Sequence, residues 1–421
     1  MMILRPILAN FAMVIIGLVI SQSTLAGTIR VPSESSTIAQ AIMNSVGGDT
    51  IIVAAGTYSG TGSHDLDFAG KNLLLKSEDG PEATILDGSN TYRIYIAQTS
   101  EWRTTRIQGF TFRNGQRQES WGLTGMVKLT SSATINFDNM IFEGGNASNG
   151  AAIHIKDGAR GVFTDCVFRN NTATNKGAVY VEGGSSEFNN CLFEDNTALE
   201  GAAIHQSKGS VVANSCTFRN NSGGVIFAFW NSSVNVSDSI FQGNSGLAGV
   251  AVRLQNASSL TMTNCLVTDN IATANWTGGV IAADDGGFDL VGCTFANNTC
   301  ADASNGAVDD RHDGSTITNC VIWGTKVGMG TVRCETVTCS LIFGNEGGDT
   351  SPCIDLTANG NLQTDPGFCD PGGGDYRIAG NSPCLPEYSG ACGLIGATEN
   401  GGCALVATEE LNFGSVKAMF R

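Results

Sequence analysis

Two short stretches carry the side chains with the most chemistry to offer. "VIFAFW", Val225 to Trp230, sets Phe227, Phe229 and Trp230 within four residues. "AADDGG" holds Asp284 and Asp285, and "VDDRHDG" holds Asp309, Asp310, Arg311, His312 and Asp313. Flat rings that reach solvent stack on the apolar faces of sugars. Clustered carboxylates are hard oxygen ligands for Ca2+, and a polysaccharide lyase needs such an ion to neutralise the uronic acid, with a base to take the neighbouring proton. Asp284, Asp309, Arg311 and His312 are therefore the catalytic candidates, and Asp284, Asp285, Asp309 and Asp310 the candidates for holding Ca2+. Ion pairing between neighbouring repeats, Asp284 with Arg311 and Asp285 with His312, is the simpler account of the same residues. No zinc spacing, phosphate loop or Ser-His-Asp signature can be placed in the sequence.

What positions these residues is a repeat. The pattern C-x-F-x-x-N reads Cys166/Phe168/Asn171, Cys191/Phe193/Asn196, Cys216/Phe218/Asn221, Ser239/Phe241/Asn244, Cys265/Val267/Asn270 and Cys293/Phe295/Asn298, with weaker copies at Phe112, Phe142 and Ile322. The Phe position recurs every 23 to 30 residues, and a Gly/Ala-rich motif such as "KGAVYV" or "GAAIHQ" follows each copy. Each repeat holds short runs of period-two alternation between Asn/Gly/Ser turns and no helical stretch. A period of this length with strands alone implies one coil per repeat, stacked on the next. The expected fold is all-β: a single-stranded right-handed parallel β-helix over 27–345, with about eleven coils spaced by about 4.8 Å between Thr50 and Asn345, a rod roughly 50 Å long.

Stacking turns each recurrent residue into a column. Cys and Phe, two apart, face the interior, where thiols at such positions are inert core residues. The motif Asn suits a recurring bend and a ladder of amide hydrogen bonds. After the second motif, Ile153, Val179, Ile204, Ile226, Val252, Ile281 and Val308 are expected inside, so His154, Tyr180, His205, Phe227, Arg253, Ala282 and Asp309 form an outward column. Lys156, Glu182, Ser207, Phe229, Gln255, Asp284 and Arg311 form a second. This face is the candidate surface, with Tyr180, His205, Phe227, Phe229 and Trp230 as glycan-binding candidates. His154 and His205 lie two coils apart, roughly 10 Å, too far to share one metal directly.

Composition sets the setting. The 421 residues include 54 Gly and 14 Cys at a net charge of −16, a surface that repels nucleic acid. Arg5, the apolar run "FAMVIIGLVI" and "TLA" read as a signal peptide over 1–26, cleaved before Gly27, which leaves no integral membrane span. Secretion permits disulfides. Ser36 is the expected N-cap of a short helix, "STIAQAIMNSV", lying over the first coil. Residues 346–403 leave the repeat and concentrate Cys353, Cys369, Cys384, Cys392 and Cys403, a disulfide-braced C-terminal cap of open connectivity. The tail 404–421 spaces Phe413, Val416 and Phe420 helically, either a docking peptide or, the favoured reading, a frayed end.

The pairing of "FRNN" at Phe168 with "KGAVY" at Lys176, and of "FEDN" at Phe193 with "GAAIH" at Gly201, resembles the repeats of the polymorphic outer membrane proteins. "TIRVPSESSTIAQAIMNSVGGDTIIVAAGTYSG" resembles the entry segment of secreted bacterial β-helix proteins with the pectate-lyase-like fold, and "DYRIAGNSPC" with "CGLIGA" is similar to their ends. The resemblance implies the fold and a secreted, cell-surface or outer-membrane-associated protein. Adhesins of the first group carry a C-terminal β-barrel with no counterpart here, and none of the complete motif sets of pectate lyases, pectin esterases or polygalacturonases is present. The reading is thus a secreted or surface β-helix that binds or adheres, to a polysaccharide or a host or cell-surface glycan. Its alternatives are a polysaccharide lyase using Ca2+ and a structural surface spacer.

Overall fold

The computed structural model describes residues 26–397 and Cys403, apart from 120–121, 275–277, 302–305, 312–313, 327–328, 333–335, 350–354 and 357. His312, Asp313 and Cys353, the tail 404–421 and all but the last residue of the expected leader lie outside the described residues.

The chain winds into stacked coils, about eleven in all. Their strands form one 20-stranded sheet and one 12-stranded sheet, both parallel, and a smaller sheet of four strands runs alongside. The register is the one the repeat demands: Phe142 pairs with Phe168, Phe168 with Phe193, Phe193 with Phe218 and Phe218 with Phe241. Their rings stack at centroid separations of 4.9, 4.5, 5.0 and 4.7 Å, fully buried. A second internal aromatic column, Phe137, Phe163 and Phe188, stacks beside it at 5.1 and 4.9 Å. Sequence reading missed this column because the Phe does not recur: later coils place Ala213, Val236, Met262 and Leu290 at the same position.

The motif asparagines form a fully buried ladder. Asn196 Nδ2 donates to Phe168 O one coil back (2.8 Å) and to Asn221 Oδ1 one coil on (3.0 Å). Its Oδ1 accepts from Asn171 N (3.1 Å) and Asn171 Nδ2 (3.0 Å). The left-handed bend expected at these residues sits one position earlier, at Asn170, Asp195, Asn220, Asp269 and Asn297, with φ of 53 to 58°. The division is physical: the ladder Asn must aim its side chain inward, and the more exposed residue before it makes the turn.

Cys166, Cys191, Cys216, Cys265, Cys293 and Cys320 line the interior as unpaired, fully buried thiols. Their Sγ–H groups donate to backbone carbonyls, as from Cys166 to Phe137 O and Thr164 O, both at 3.3 Å. Burial pushes the Cys191 and Cys216 thiols far above the ordinary range. Because none of the six is more than 1% exposed, alkylation of native protein followed by peptide mass mapping is expected to leave this column unlabelled until denaturant unfolds the coils. Labelling of any of the six in native protein would contradict a sealed core.

At the N-terminal end a helix, Ile38–Asn44, buries Ile38, Ala41 and Ile42 in the main core. Its N-cap is Thr37 rather than Ser36: Thr37 Oγ1 accepts from Gln40 N at 3.1 Å. At the other end Asn361 Oδ1 accepts from Ser340 N (3.0 Å), prolonging the stack. The chain then folds back so that Ile378, Cys384, Leu385 and Ile395 cover the outward-facing Val321 and Leu341. The disulfides described are Cys339–Cys392 and Cys369–Cys403. Two expectations are corrected: Cys384 is a free, buried core residue, and Cys392 pairs with Cys339, which belongs to the last repeat.

Candidate functional site

The outward column exists in the expected register. His154 pairs with Tyr180, Tyr180 with His205, His205 with Phe227, Phe227 with Arg253, Arg253 with Ala282 and Ala282 with Asp309. Lys128, which the sequence reading missed where the repeat is weak, precedes His154 in the same column. The column is nonetheless covered: Phe227 is 5% exposed, Tyr180 6%, His205 1% and Asp309 3%. Exposure of Phe227 is therefore a corrected expectation. The turn leading into each second motif packs across the column, so closely that a Cβ on Gly201, with φ of +58°, would sit 3.1 Å from Phe227 Cβ, and one on Gly278 would sit 2.3 Å from Asp309 Cβ. The glycines of the repeat are what allow this approach.

Beneath that cover the rings form one stack. Centroids are separated by 4.9 Å for His154–Tyr180, 5.4 Å for Tyr180–His205, 4.9 Å for His205–Phe227, 6.0 Å for Phe227–Phe229 and 4.9 Å for Phe229–Trp230. Three cations lie over it: Lys176 above Tyr180, Arg253 above Phe227 and Lys208 above Trp230, at 4.7, 5.6 and 5.4 Å. Burial, with Lys176 adding repulsion, lowers the His205 pKa to about 3, and burial followed by Glu182 raises Tyr180 to about 12. Both are neutral at physiological pH, so the stack is a packing element.

The stack reaches solvent at one end. The strand Ile226–Ser237 holds one residue more than its neighbour Ile204–Asn214 between Ser207/Phe229 and Gly209/Ser232, a β-bulge. The bulge turns Trp230 outward, 48% exposed, with the half-buried Phe229 behind it. Trp230 has φ of +53° at a corner that Asp157, Gly183, Lys208 and Asn256 fill in other coils. Gly and Asn enter this region readily, whereas a bulky residue there costs about 1–2 kcal/mol.

Beside this ledge a cavity of about 320 Å³ opens between Leu199, Leu247, Ala248, Phe227, Arg253 and Gln255. Leu199 and Leu247 are 59% and 51% exposed at its rim. On the far side Arg253 donates through Nε and Nη2 to Asp284 Oδ2 at 3.0 and 2.8 Å, and Gln255 Nε2 donates to the same oxygen at 2.7 Å.

That arrangement decides what the acidic stretch does. Arg311 lies 3.6 Å from both Asp284 Oδ1 and Asp309 Oδ2, so Asp284 bridges two arginines across three coils. Burial raises its carboxyl, but hydrogen bonds from Gln255 and Arg253 outweigh this and hold it below its ordinary value. Asp310 points the other way, buried beside the core-facing Ala283, and accepts from Ser315 N at 3.3 Å. Asp285 is exposed on a turn. Among the described residues no three of His, Cys, Asp and Glu gather as a metal site. A further network that sequence reading missed joins Glu119 to Lys128 (2.7 Å) and Arg93 (2.8 Å), and Arg93 to Asp65 (3.0 Å).

Comparison with known proteins follows from this geometry. Among solved structures the chain resembles a PL6-family alginate lyase (13% identity, TM-score 0.42, 82% of this chain and 54% of that one). It also resembles a rhamnogalacturonan lyase (13%, 0.39, 82% and 90%) and a pectate lyase (12%, 0.41, 90% and 97%). The chain spans about half the length of the alginate lyase. No curated protein matches it in sequence. Residues 201–346 match the model described as periplasmic copper-binding protein (NosD), and residues 92–265 match the right-handed β-helix region. With its coils paired in parallel from Thr28 to Phe343, the chain is a right-handed parallel β-helix.

Proposed function

We propose that this protein binds a glycan outside the cytoplasm, at the ledge formed by Phe229 and Trp230 and the cavity beside it. The observation that carries the reading is Trp230 itself, a large aromatic held exposed on a left-handed corner where other coils place Asp157, Gly183, Lys208 and Asn256. Strain kept at an exposed ring is a mark of function. A sugar ring stacked on the indole displaces only the exposed Lys208 side chain. The apolar leader run and the disulfide-braced end suit a chain that works in the envelope or on the cell surface. The repeat resemblance to surface adhesins accords with that place.

Trp230→Ala and Phe229→Ala are each expected to weaken binding of the recognised glycan at least tenfold by isothermal calorimetry, with thermal stability little changed for Trp230. Phe227 is excluded from this test because its loss would open the core of the stack. Undiminished affinity in the Trp230→Ala, Phe229→Ala double variant would remove the ledge from the site.

A lyase reading is less well supported. The Asp284 carboxylate is spent on two arginines and Gln255, which leaves it little charge for Ca2+. For copper, named in the NosD description, the described residues offer no group of three ligands, and the free thiols among them are sealed in the core. The spacer reading leaves Trp230 and the cavity without a purpose.

A further inference from the structure

We propose that the cavity beside the ledge selects an N-acetylated sugar, reading its acetamido group; this rests on the glycan-binding reading above. At about 320 Å³ the cavity lies at the small end of ligand pockets, about 300–1,000 Å³, and suits one monosaccharide unit. Its polar equipment is specific. Arg253 uses Nε and Nη2, and Gln255 uses Nε2, on Asp284. What each has left is complementary: Nη1 of Arg253 is a donor, and Oε1 of Gln255 is an acceptor. Adjacent donor and acceptor match the carbonyl oxygen and N–H of one secondary amide.

The charge balance points the same way. Asp284 neutralises the Arg253 guanidinium, so the cavity offers a hydrogen bond without a net positive charge, and a carboxylated sugar gains little there. The rest of the lining is glycine backbone, the Glu200 side chain, whose negative charge further disfavours a carboxylated sugar, and an apolar stretch. Leu199, Leu247 and Ala248 provide a surface for a methyl group, and Leu199 and Leu247 stand exposed with nothing else described to cover them. A hydroxyl in place of the acetamido group would leave that wall wet and spare only one of the two polar partners. Phe227 and Phe229, 6.0 Å apart, connect the cavity to the ledge, so one sugar can stack on Trp230 while its substituent or its neighbour enters the cavity.

The test uses two probes of the same β-1,4 backbone, N-acetylchitopentaose and cellopentaose, titrated into the full chain. The expected result is binding of the acetylated probe at least tenfold tighter. Leu247→Asp, at an exposed position that tolerates change, is expected to bring the two within about threefold, and Gln255→Leu, checked for folding by circular dichroism, to do the same. Equal affinity of the wild type for both probes, or a preference that survives both substitutions, overturns the acetamido assignment while leaving glycan binding in place. Failure of both probes to bind, with another glycan retained through Trp230, also overturns the assignment. Failure of every glycan overturns the functional reading as well.

Discussion

Between pH 6.5 and pH 5 the protein is expected to lose stability, and replacing His205 by Phe is expected to abolish most of that loss. In the folded chain the imidazole is 1% exposed between Tyr180 and Phe227, faces the Lys176 cation, and takes up a proton only near pH 3. In the unfolded chain it titrates near the ordinary 6.5. Between those values the unfolded state binds the extra proton, so acid favours unfolding; above pH 6.5 neither state is protonated and the effect vanishes. The slope approaches about 1.4 kcal/mol per pH unit, and the full penalty by pH 3 is on the order of 5 kcal/mol. Carboxylates whose partners lower their pKa, such as Asp284 and Glu119, lose stabilising interactions only at more acid pH, and the Asp138 carboxyl, which burial raises, acts in the opposite sense, so neither accounts for a loss between pH 6.5 and 5. Phe preserves the stacked ring without the titration. Urea unfolding of both proteins at pH 7 and pH 5 reads the difference directly, and equal acid sensitivity would show that His205 is not the buried neutral group described.

Asn196→Ala is expected to cost about 4 kcal/mol. The side chain makes four hydrogen bonds inside the ladder, and its loss strands two buried backbone groups, Asn171 N–H and Phe168 O, each worth about 1–3 kcal/mol when orphaned. Asn175→Ala provides the contrast: that side chain is exposed, and its removal should change stability by less than about 0.5 kcal/mol. Similar small effects at both positions would mean that the ladder is an accompaniment of the stack rather than one of its supports.

These two residues also show what could be read from sequence. Asn196 was legible because stacking repeats the same demand in every coil, and a residue that answers it recurs with the period. The same logic gave the Phe and Cys columns, the inward Ile and Val positions and the cross-coil register of His154 through Asp309. His205 was placed on the correct strand and face, but its burial was not legible. Alternation says which side of a sheet a residue takes, and says nothing of a turn such as that of Gly177 or Gly201 packing back over that side.

The candidate site divides in the same way. Phe229 is legible as an unusual residue of an outward column and Trp230 as its neighbour at the following turn, yet the bulge that exposes Trp230 comes from a single extra residue within a repeat whose spacing already varies. Asp284 with Arg311 followed from register, whereas Arg253, two coils from Arg311, came into the pair because long side chains reach along the stack. Lys128 and Glu119 went unnoticed where the motif decays. Cys339 lay inside the last repeat and so did not read as part of a disulfide framework.

The central claim is that the ledge and its cavity bind a glycan without cleaving it. The most direct measurement is calorimetric titration of a panel of neutral and uronic-acid oligosaccharides, with and without Ca2+, followed by assay of the same cell for new reducing ends and unsaturated uronates. A saturable heat with one neutral glycan, unaffected by Ca2+, abolished in the Trp230→Ala, Phe229→Ala double variant and accompanied by no product is the predicted result. Product formed from a uronic-acid chain in the presence of Ca2+ and lost with Asp284→Asn would contradict the claim and make the acidic stretch the working site.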